Sequence, residues 1–200
     1  MKKSLLTVLL ILSLSASAFA YTEHNIQSAN FIAGKWIIND NSTNIAAYNL
    51  GDHITRREML KVMMNLSGKT VASTCSWKFS DMKSSDWGCK YAESALTEGF
   101  IAANRTFRPD DSVTLIEALK MIMQAKGIER DENTDWRAGY VSKGQSEEIV
   151  DAGYFEYDVK STRGWIFSTS ARSYDDFVYE EPEIELEPEI EELFKSLLDL

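Results

Sequence analysis

Apolar residues recur at helical spacing in two well-defined runs of this 200-residue chain. Each run follows the i, i+3, i+4, i+7 pattern that gives a helix one apolar face. The positions are Met59, Val62, Met63 and Leu66 in the first run and Leu115, Ala118, Leu119, Ile122 and Met123 in the second. Further helices are predicted over about 25–36 and 87–98, from about 135 to 151, and near 171–179, with residues 154–167 extended. The pattern predicts an all-α fold.

The two runs open on the same motif. Residues 54–58 read Ile-Thr-Arg-Arg-Glu, and residues 113–117, 59 positions later, read Val-Thr-Leu-Ile-Glu. Thr-x-x-Glu before an apolar run is a capping box, in which the hydroxyl and the carboxylate each pair with a backbone N–H. We therefore expect Thr55 to cap with Glu58, and Thr114 with Glu117. A motif repeated in this way indicates that one helical unit is used more than once.

Three units are predicted between residues 21 and 179, at about 21–70, 75–130 and 135–179, and the third is the most degenerate. Residues 180–200 differ in character, because acidic residues alternate with prolines before a last apolar run. The first part is typical of a solvated linker. The apolar positions of Ile190–Leu198 have helical spacing, which favours a short amphipathic helix. This helix either docks on its own domain or binds a groove on a protein partner.

The first 20 residues have the features of a secretory signal peptide. Lys2 and Lys3 precede a short apolar stretch, and small residues end at Ala20, where cleavage is expected. The apolar stretch is too short to span a bilayer, although a retained N-terminal anchor is the alternative. We expect an exported protein of the cell envelope or cell surface, with no membrane span in the mature chain.

Charge and cysteine content narrow the class of protein. The formal net charge is -10, and residues 180–200 hold nine acids and one lysine, so no basic face for nucleic acid is expected. Cys75 and Cys89 are the only cysteines, and in an exported chain they favour a disulfide over two free thiols. Two cysteines do not make a zinc site, and His24 and His53 lie far away in sequence. No metal site, cofactor or catalytic motif is expected.

The second unit carries a series of residues that resembles an S-layer homology domain. In order they are Phe79-Ser80-Asp81, Trp87, Gly99-Phe100-Ile101, Phe107-Arg108-Pro109, Thr114 and Glu117. The first unit supplies the Ile-Thr-Arg-x-Glu signature of that family at residues 54–58, and the third unit matches weakly. The resemblance implies three helix-loop-helix repeats in one pseudo-threefold module, with a central helical bundle and grooves between repeats. It also implies non-covalent anchoring to a cell-wall polysaccharide, often one carrying pyruvate ketals.

The resemblance gives the signature arginine the role of contacting the acidic sugar. Arg56, beside Thr55, occupies that position in the first unit. A cation in the first turn opposes the helix dipole unless an anion lies beside it, and a guanidinium matches a planar carboxylate with two parallel donors. The alternative is a solvated arginine or a plain ion pair. Trp36 is a candidate to cover a sugar face, although a tryptophan at a helix end more often belongs to the core.

The other two units match the signature less well. In the second unit Leu115 replaces the arginine, so this groove is expected to lose its main anion contact. Arg108 is a nearby substitute or an ordinary surface arginine, and Pro109 favours an extended conformation for it. In the third unit Arg172, after Ala171, is the loose match.

Three functions remain from the sequence. The first is non-catalytic binding of an acidic envelope polysaccharide. The second is an exported protein-interaction scaffold that uses degenerate grooves or the Ile190–Leu198 helix. The third and weakest is a small exported enzyme.

Overall fold

The computed structural model describes residues 23–132 and 135–180. Within them, helix α1 covers residues 23–34 and a short 3-10 helix covers Ile45–Tyr48. The remaining helices are α2 (Arg56–Ser67), α3 (Cys89–Thr97), α4 (Leu115–Ala125), α5 (Trp136–Ser146) and α6 (Arg163–Arg172). The described ranges contain helices and isolated bridges but no strand, which confirms the all-α prediction. The predicted signal peptide and the Ile190–Leu198 helix lie outside the described residues.

Both predicted capping boxes are present. At the start of α2 the Glu58 carboxylate accepts from the backbone N–H of Thr55 at 2.8 Å, and the Thr55 hydroxyl accepts from the N–H of Glu58. At the start of α4, Thr114 and Glu117 are bonded in the same way, with the N–H of Thr114 3.0 Å from the carboxylate. These bonds satisfy donors that the first turn of a helix leaves without an intrahelical partner.

Helix α6 begins in the same manner, and this corrects the prediction for the third unit. Thr162 is the N-cap and accepts from the N–H of Trp165 at 3.3 Å. The helix occupies residues 163–172, so the predictions of an extended segment over 154–167 and a helix near 171–179 are wrong. Of the aromatic residues that suggested a strand, only Trp165 and Phe167 lie on α6, where Phe167 is buried with Ile166 and Ala171, while Tyr154, Phe155 and Tyr157 lie in the loop before it.

The segments that enter α2, α4 and α6 are joined by a closed ring of backbone hydrogen bonds. Ile54 donates to Ser161, Ser161 donates to Val113, and Val113 donates back to Ile54, at 3.4, 2.9 and 3.2 Å. All three residues are buried. Three antiparallel bridges, between residues 53 and 162, 55 and 112, and 114 and 160, surround the ring. The ring fixes the three helix starts together, while the pseudo-threefold arrangement of whole repeats stays a prediction.

The core is built mainly on α2 and α4. Helix α2 packs against α3 and α4, and α4 packs against α5 and α6. The larger cluster of buried side chains includes Tyr48, Leu60, Met63, Ile122 and Phe167. A second cluster lies between α4 and α5. Within the described ranges, no helix combines the length and the apolar character that crossing a bilayer requires.

The predicted disulfide is confirmed, and it shapes the loop before α3. Cys75 and Cys89 are bonded, with their Cα atoms 5.7 Å apart. The buried carboxylate of Glu93 holds the same loop, because it accepts from the backbone N–H of Ser76 at 2.7 Å and of Lys78 at 2.8 Å. Burial opposes the charge on Glu93, but these donors outweigh it and the pKa of Glu93 lies below its ordinary value. The loop is therefore anchored at two points.

Thr114→Ala tests the capping box without changing a candidate ligand contact. The substitution removes the hydroxyl that accepts from Glu117, and we expect it to lower the free energy of unfolding by about 1 kcal/mol. Denaturant unfolding measures this difference. Thr106→Ala, at an exposed threonine, is the matched control. Equal stability of the two variants would contradict a capping role for Thr114.

Candidate functional site

A cleft of about 300 Å³ lies between α2, α6 and the segment around the short 3-10 helix. We call it the Arg163 cleft. Its lining residues are Ile37, Ile38, Asn39, Asn41, Ala47, Tyr48, Ile54, Glu58, Lys61, Val62, Trp87, Arg163 and Phe167. They come from the segment before the 3-10 helix, from that helix itself, from the residue before the N-cap of α2, from α2, from the loop before α3 and from α6. The site therefore depends on the way these elements are brought together.

Arg163 is the first residue of α6, and its side chain is held at several points. Its Nε donates to the carbonyl of Tyr48 at 2.8 Å, and its Nη1 lies 3.6 Å from a carboxylate oxygen of Glu58. The guanidinium carbon also lies 5.2 Å from the centre of the Phe167 ring. The side chain is 24% exposed. Arg163 is thus oriented by the protein and still accessible from the cleft.

The rest of the cleft combines a second cation with polar and aromatic groups. Lys61 lies one turn after Glu58 on α2, and Asn39 and Asn41 supply side-chain amides. Trp87 comes from the loop before α3 and is about half exposed. An amide has both donors and acceptors, and an exposed indole offers a flat apolar face. This set of groups suits a ligand with hydroxyls, a ring and a negative charge.

Arg56 has nearly the same geometry at the start of α2. Its Nε donates to the carbonyl of Phe107 at 2.9 Å, and its Nη1 lies 3.4 Å from Glu117. Its side chain is 20% exposed, and its guanidinium lies 5.0 Å from the Phe107 ring centre. Burial lowers the pKa of Arg56 from its usual value, while the charge of Glu117 opposes that shift. Arg56 is not among the residues that line the Arg163 cleft.

A common rule relates these two positions. The arginine at the first position of one helix lies beside the capping glutamate of another, as Arg163 lies beside Glu58 and Arg56 beside Glu117. A third pair would join the first residue of α4 to the third residue of α6, where the capping glutamate would stand. These positions hold Leu115 and Trp165. Leu115 is half-buried, and Trp165 packs against the buried clusters. No guanidinium–carboxylate pair can form from these two side chains.

Arg108 lies close enough to Arg56 for its charge to lower the Arg56 pKa further. Its φ is 60°, so the extended conformation expected before Pro109 is wrong. The cause is the Asp81 carboxylate, which accepts from the N–H of Phe107 at 2.8 Å and of Arg108 at 2.6 Å. The exposed guanidinium of Arg108 lies 3.6 Å from Asp111. The structure therefore brings Arg108 near Arg56 and Thr55.

Trp36 and Arg172 lie elsewhere. Trp36 is 87% exposed, so the alternative that it belongs to the core is wrong. It follows α1 with a φ of 62° and precedes Ile37, which lines the Arg163 cleft.

Arg172 is the last residue of α6, where it bonds to Asp151 at 2.8 Å and lines a separate cleft rich in carboxylates. Its role as a ligand contact stays a prediction.

The residue after the N-cap threonine of α6 is Arg163, and sequence reasoning missed it. The signal was present, because residues 161–163 read Ser-Thr-Arg where residues 54–56 read Ile-Thr-Arg. Two differences hid it. Trp165 stands where the signature has glutamate, and Thr162 follows Thr114 by 48 residues, whereas Thr114 follows Thr55 by 59.

One group of potential metal ligands occurs in the described residues, formed by Cys75, Cys89 and Glu93 within 4.8 Å of one another. Both sulfurs are in the disulfide, and a metal binds the thiolate form of cysteine. Both oxygens of Glu93 already accept backbone hydrogen bonds. This cluster therefore holds the loop before α3 in place.

Comparison with known proteins agrees with the resemblance found in the sequence. Residues 78–119 match the model of the S-layer homology domain family. A surface layer protein of Brevibacillus choshinensis is similar to this chain, with 27% identity over 116 residues. That alignment covers 53% of this chain and 10% of the relative's length. The resemblance to the family is confirmed, while the number of repeats and the unit boundaries stay predictions.

Asp81→Asn tests the turn that places Arg108 beside Arg56. Burial opposes the charge on Asp81, but the two N–H donors outweigh it and its pKa lies below the ordinary value. The carboxylate therefore stabilises the fold above its unfolded pKa of about 3.9, and this contribution is lost as the pH falls through the folded pKa. We expect Asp81→Asn to cost about 1 kcal/mol at pH 7. The difference from wild type should shrink as the pH approaches 3, as measured by urea unfolding.

Asp158→Asn, at an exposed aspartate in the third unit, is the matched control for this experiment. A deficit of Asp81→Asn that is the same at pH 7 and pH 3 would show that the charge of Asp81 does not hold the turn.

Proposed function

We propose that this chain, which carries an S-layer homology segment at residues 78–119, anchors non-covalently to the cell envelope by binding an acidic polysaccharide in the Arg163 cleft. Two findings support a role at the cell surface, namely the family match and the similarity to a surface layer protein. The observation that carries the choice of site is an oriented, accessible guanidinium inside a cleft that also holds Lys61 and Trp87. The proposed role is binding without catalysis.

The contacts of Arg163 suit an incoming carboxylate. Its Nε is held by Tyr48, and its Nη1 has only a long contact of 3.6 Å with Glu58. Among residues 23–132 and 135–180, no acceptor is bonded to Nη2. A ketal carboxylate is planar and accepts two parallel N–H bonds from a guanidinium. The acidic group of the sugar would therefore bind Nη1 and Nη2 while Nε keeps its bond to Tyr48.

The helix itself contributes through its dipole and not through free amides. The N–H groups of Arg163 and Gly164 donate to the carbonyls of Asp52 and Leu50, each at 2.8 Å, so they are not available to a ligand. The positive end of the α6 dipole still favours an anion near its first turn. The guanidinium is thus the main group proposed to recognise negative charge.

The remaining groups suit the sugar ring. The exposed face of Trp87 can cover the apolar face of a pyranose, and the amides of Asn39 and Asn41 can bond to hydroxyls. Trp36 directly precedes Ile37 and is exposed, so we add it as a candidate sugar contact at the edge of the cleft. We assign these residues to sugar contacts and Arg163 to the acidic substituent.

Arg56, with Thr55 and Arg108 beside it, is proposed as a second position for an acidic sugar. Its guanidinium has partners of the same kinds as Arg163, namely a backbone carbonyl and a capping glutamate, and Arg108 adds a second positive charge. Arg56 does not line the cleft that holds Lys61 and Trp87, so a ligand on it would lack those contacts. We therefore expect Arg56 to bind an acidic ligand more weakly than Arg163.

Arg163→Gln is the direct test. Loss of a bidentate charge-assisted contact should weaken binding to purified cell-wall polysaccharide about tenfold or more. Co-sedimentation with purified walls and titration with the released polymer measure the change. Arg105→Gln, at an exposed arginine outside the cleft, is the matched control and should bind as wild type does.

Two further variants distinguish this function from a protein scaffold. Arg56→Gln should reduce wall binding less than Arg163→Gln, and deletion of residues 181–200 should leave it unchanged. If both arginine variants sediment with walls as wild type does, while the deletion prevents it, the proposal is overturned and the scaffold function is favoured. Chemical removal of acidic groups from the polymer should weaken the binding of wild type to the level of Arg163→Gln or below it, because the Arg56 position would lose its acidic ligand as well.

A further inference from the structure

Trp77 is exposed on the surface in a backbone conformation that is unfavourable for a bulky residue. Its side chain is 70% exposed, and its φ is 64°. A left-handed backbone conformation is uncommon for a bulky residue, and an exposed indole gains little from burial. The Trp77 side chain does not contribute to the hydrophobic core, because it belongs to neither buried cluster.

The loop that carries Trp77 is nevertheless firmly held. The disulfide fixes Cys75, two residues before Trp77, to the start of α3. The buried Glu93 carboxylate accepts from the N–H groups of both sequence neighbours, Ser76 and Lys78. The ring is thus presented from a rigid support, which lowers the entropy lost when a ligand covers it.

A polar pocket of about 330 Å³ is lined by Ser76 and Lys78, the two sequence neighbours of Trp77, while the indole itself is not among its lining residues. Three threonines, Thr70, Thr74 and Thr97, contribute to its lining. A hydroxyl both donates and accepts, so it matches the hydroxyls of a sugar. The loop therefore combines an exposed apolar ring with a hydroxyl-bearing pocket lined in part by the residues on either side of that ring, and both kinds of surface suit a pyranose.

The charges of this pocket do not favour an acidic ligand. Glu93 and Glu98 line it, and Lys69 is engaged with Glu98 at 3.4 Å. Lys78 lies near Glu93, whose pKa it helps to lower. No arginine lines this pocket, in contrast to the Arg163 cleft. The site suits a neutral sugar.

We propose that Trp77 and this pocket form a second subsite, which binds neutral sugar units of the polymer whose acidic unit occupies the Arg163 cleft. This inference rests on the proposed function. The disulfide joins the two regions, because Trp77 lies two residues after Cys75 and Trp87 lies two residues before Cys89. With 5.7 Å between the cysteine Cα atoms, the Cα atoms of the two tryptophans lie at most about 20 Å apart. One polysaccharide chain can contact both.

Trp77→Ala tests the subsite, with Tyr154→Ala, at a tyrosine that is 93% exposed in the third unit, as the matched control. The probes are purified cell-wall polysaccharide, the same polymer after chemical removal of its acidic groups, and the isolated acidic sugar unit. Trp77→Ala should weaken binding of both polymers about tenfold and leave binding of the acidic unit unchanged. Trp77→Phe should restore most of the loss, because it keeps a flat apolar ring.

The outcomes separate this subsite from the proposed function. If Arg163→Gln loses binding of the acidic unit while Trp77→Ala binds every probe as Tyr154→Ala does, the subsite is overturned and the function stands. If Trp77→Ala loses binding of both polymers while Arg163→Gln changes nothing, the acidic cleft is overturned and the Trp77 subsite stands. An equal loss on Tyr154→Ala would overturn the subsite, because it would show a non-specific effect of removing an exposed aromatic ring.

Discussion

The ring of backbone hydrogen bonds between Ile54, Val113 and Ser161 is the constraint on which the remainder depends. Each residue directly precedes the N-cap threonine of a helix, and all three are buried. A buried N–H or C=O without a partner is costly, so the three segments must meet in one register for every group to be paired. Once they meet, the first turns of α2, α4 and α6 are fixed relative to one another.

In this register each capping glutamate also contacts an arginine of another helix. One carboxylate oxygen of Glu58 accepts from the N–H of Thr55, the N-cap of α2, and the other oxygen lies 3.6 Å from the guanidinium of Arg163 on α6. Glu117 serves Thr114 and Arg56 in the same way. A residue that starts one helix thereby orients the cation of another. Local helix capping and the geometry of the candidate site are consequences of the same contacts.

The features that could be predicted from the sequence are those that depend on residues close together in the chain. The capping boxes depend on a short spacing, and the Cys75–Cys89 bond joins the only two cysteines of a chain expected to be exported, so both were predicted. Arg163 was missed because its partner Glu58 lies over 100 residues away and because Trp165 removes the signature glutamate nearby. The φ of Arg108 was also missed, since it is imposed by Asp81, 27 residues earlier. Contacts that link distant segments cannot be read from periodicity.

The sharing of Glu58 also supports the proposal that this chain binds an acidic sugar reversibly. Glu58 is held by Thr55 through one oxygen, so it need not move when a ligand carboxylate approaches Arg163. In the proposed complex the guanidinium would exchange a long contact of 3.6 Å for a bidentate one, while its Nε stays bonded to Tyr48. The helix cap would be kept in this exchange, so the proposed binding does not require the fold to open. Much of the formal net charge of -10 comes from residues 180–200, which hold nine acids and one lysine, so the proposed binding depends on the local positive charge of Arg163 and Lys61 and not on the overall charge.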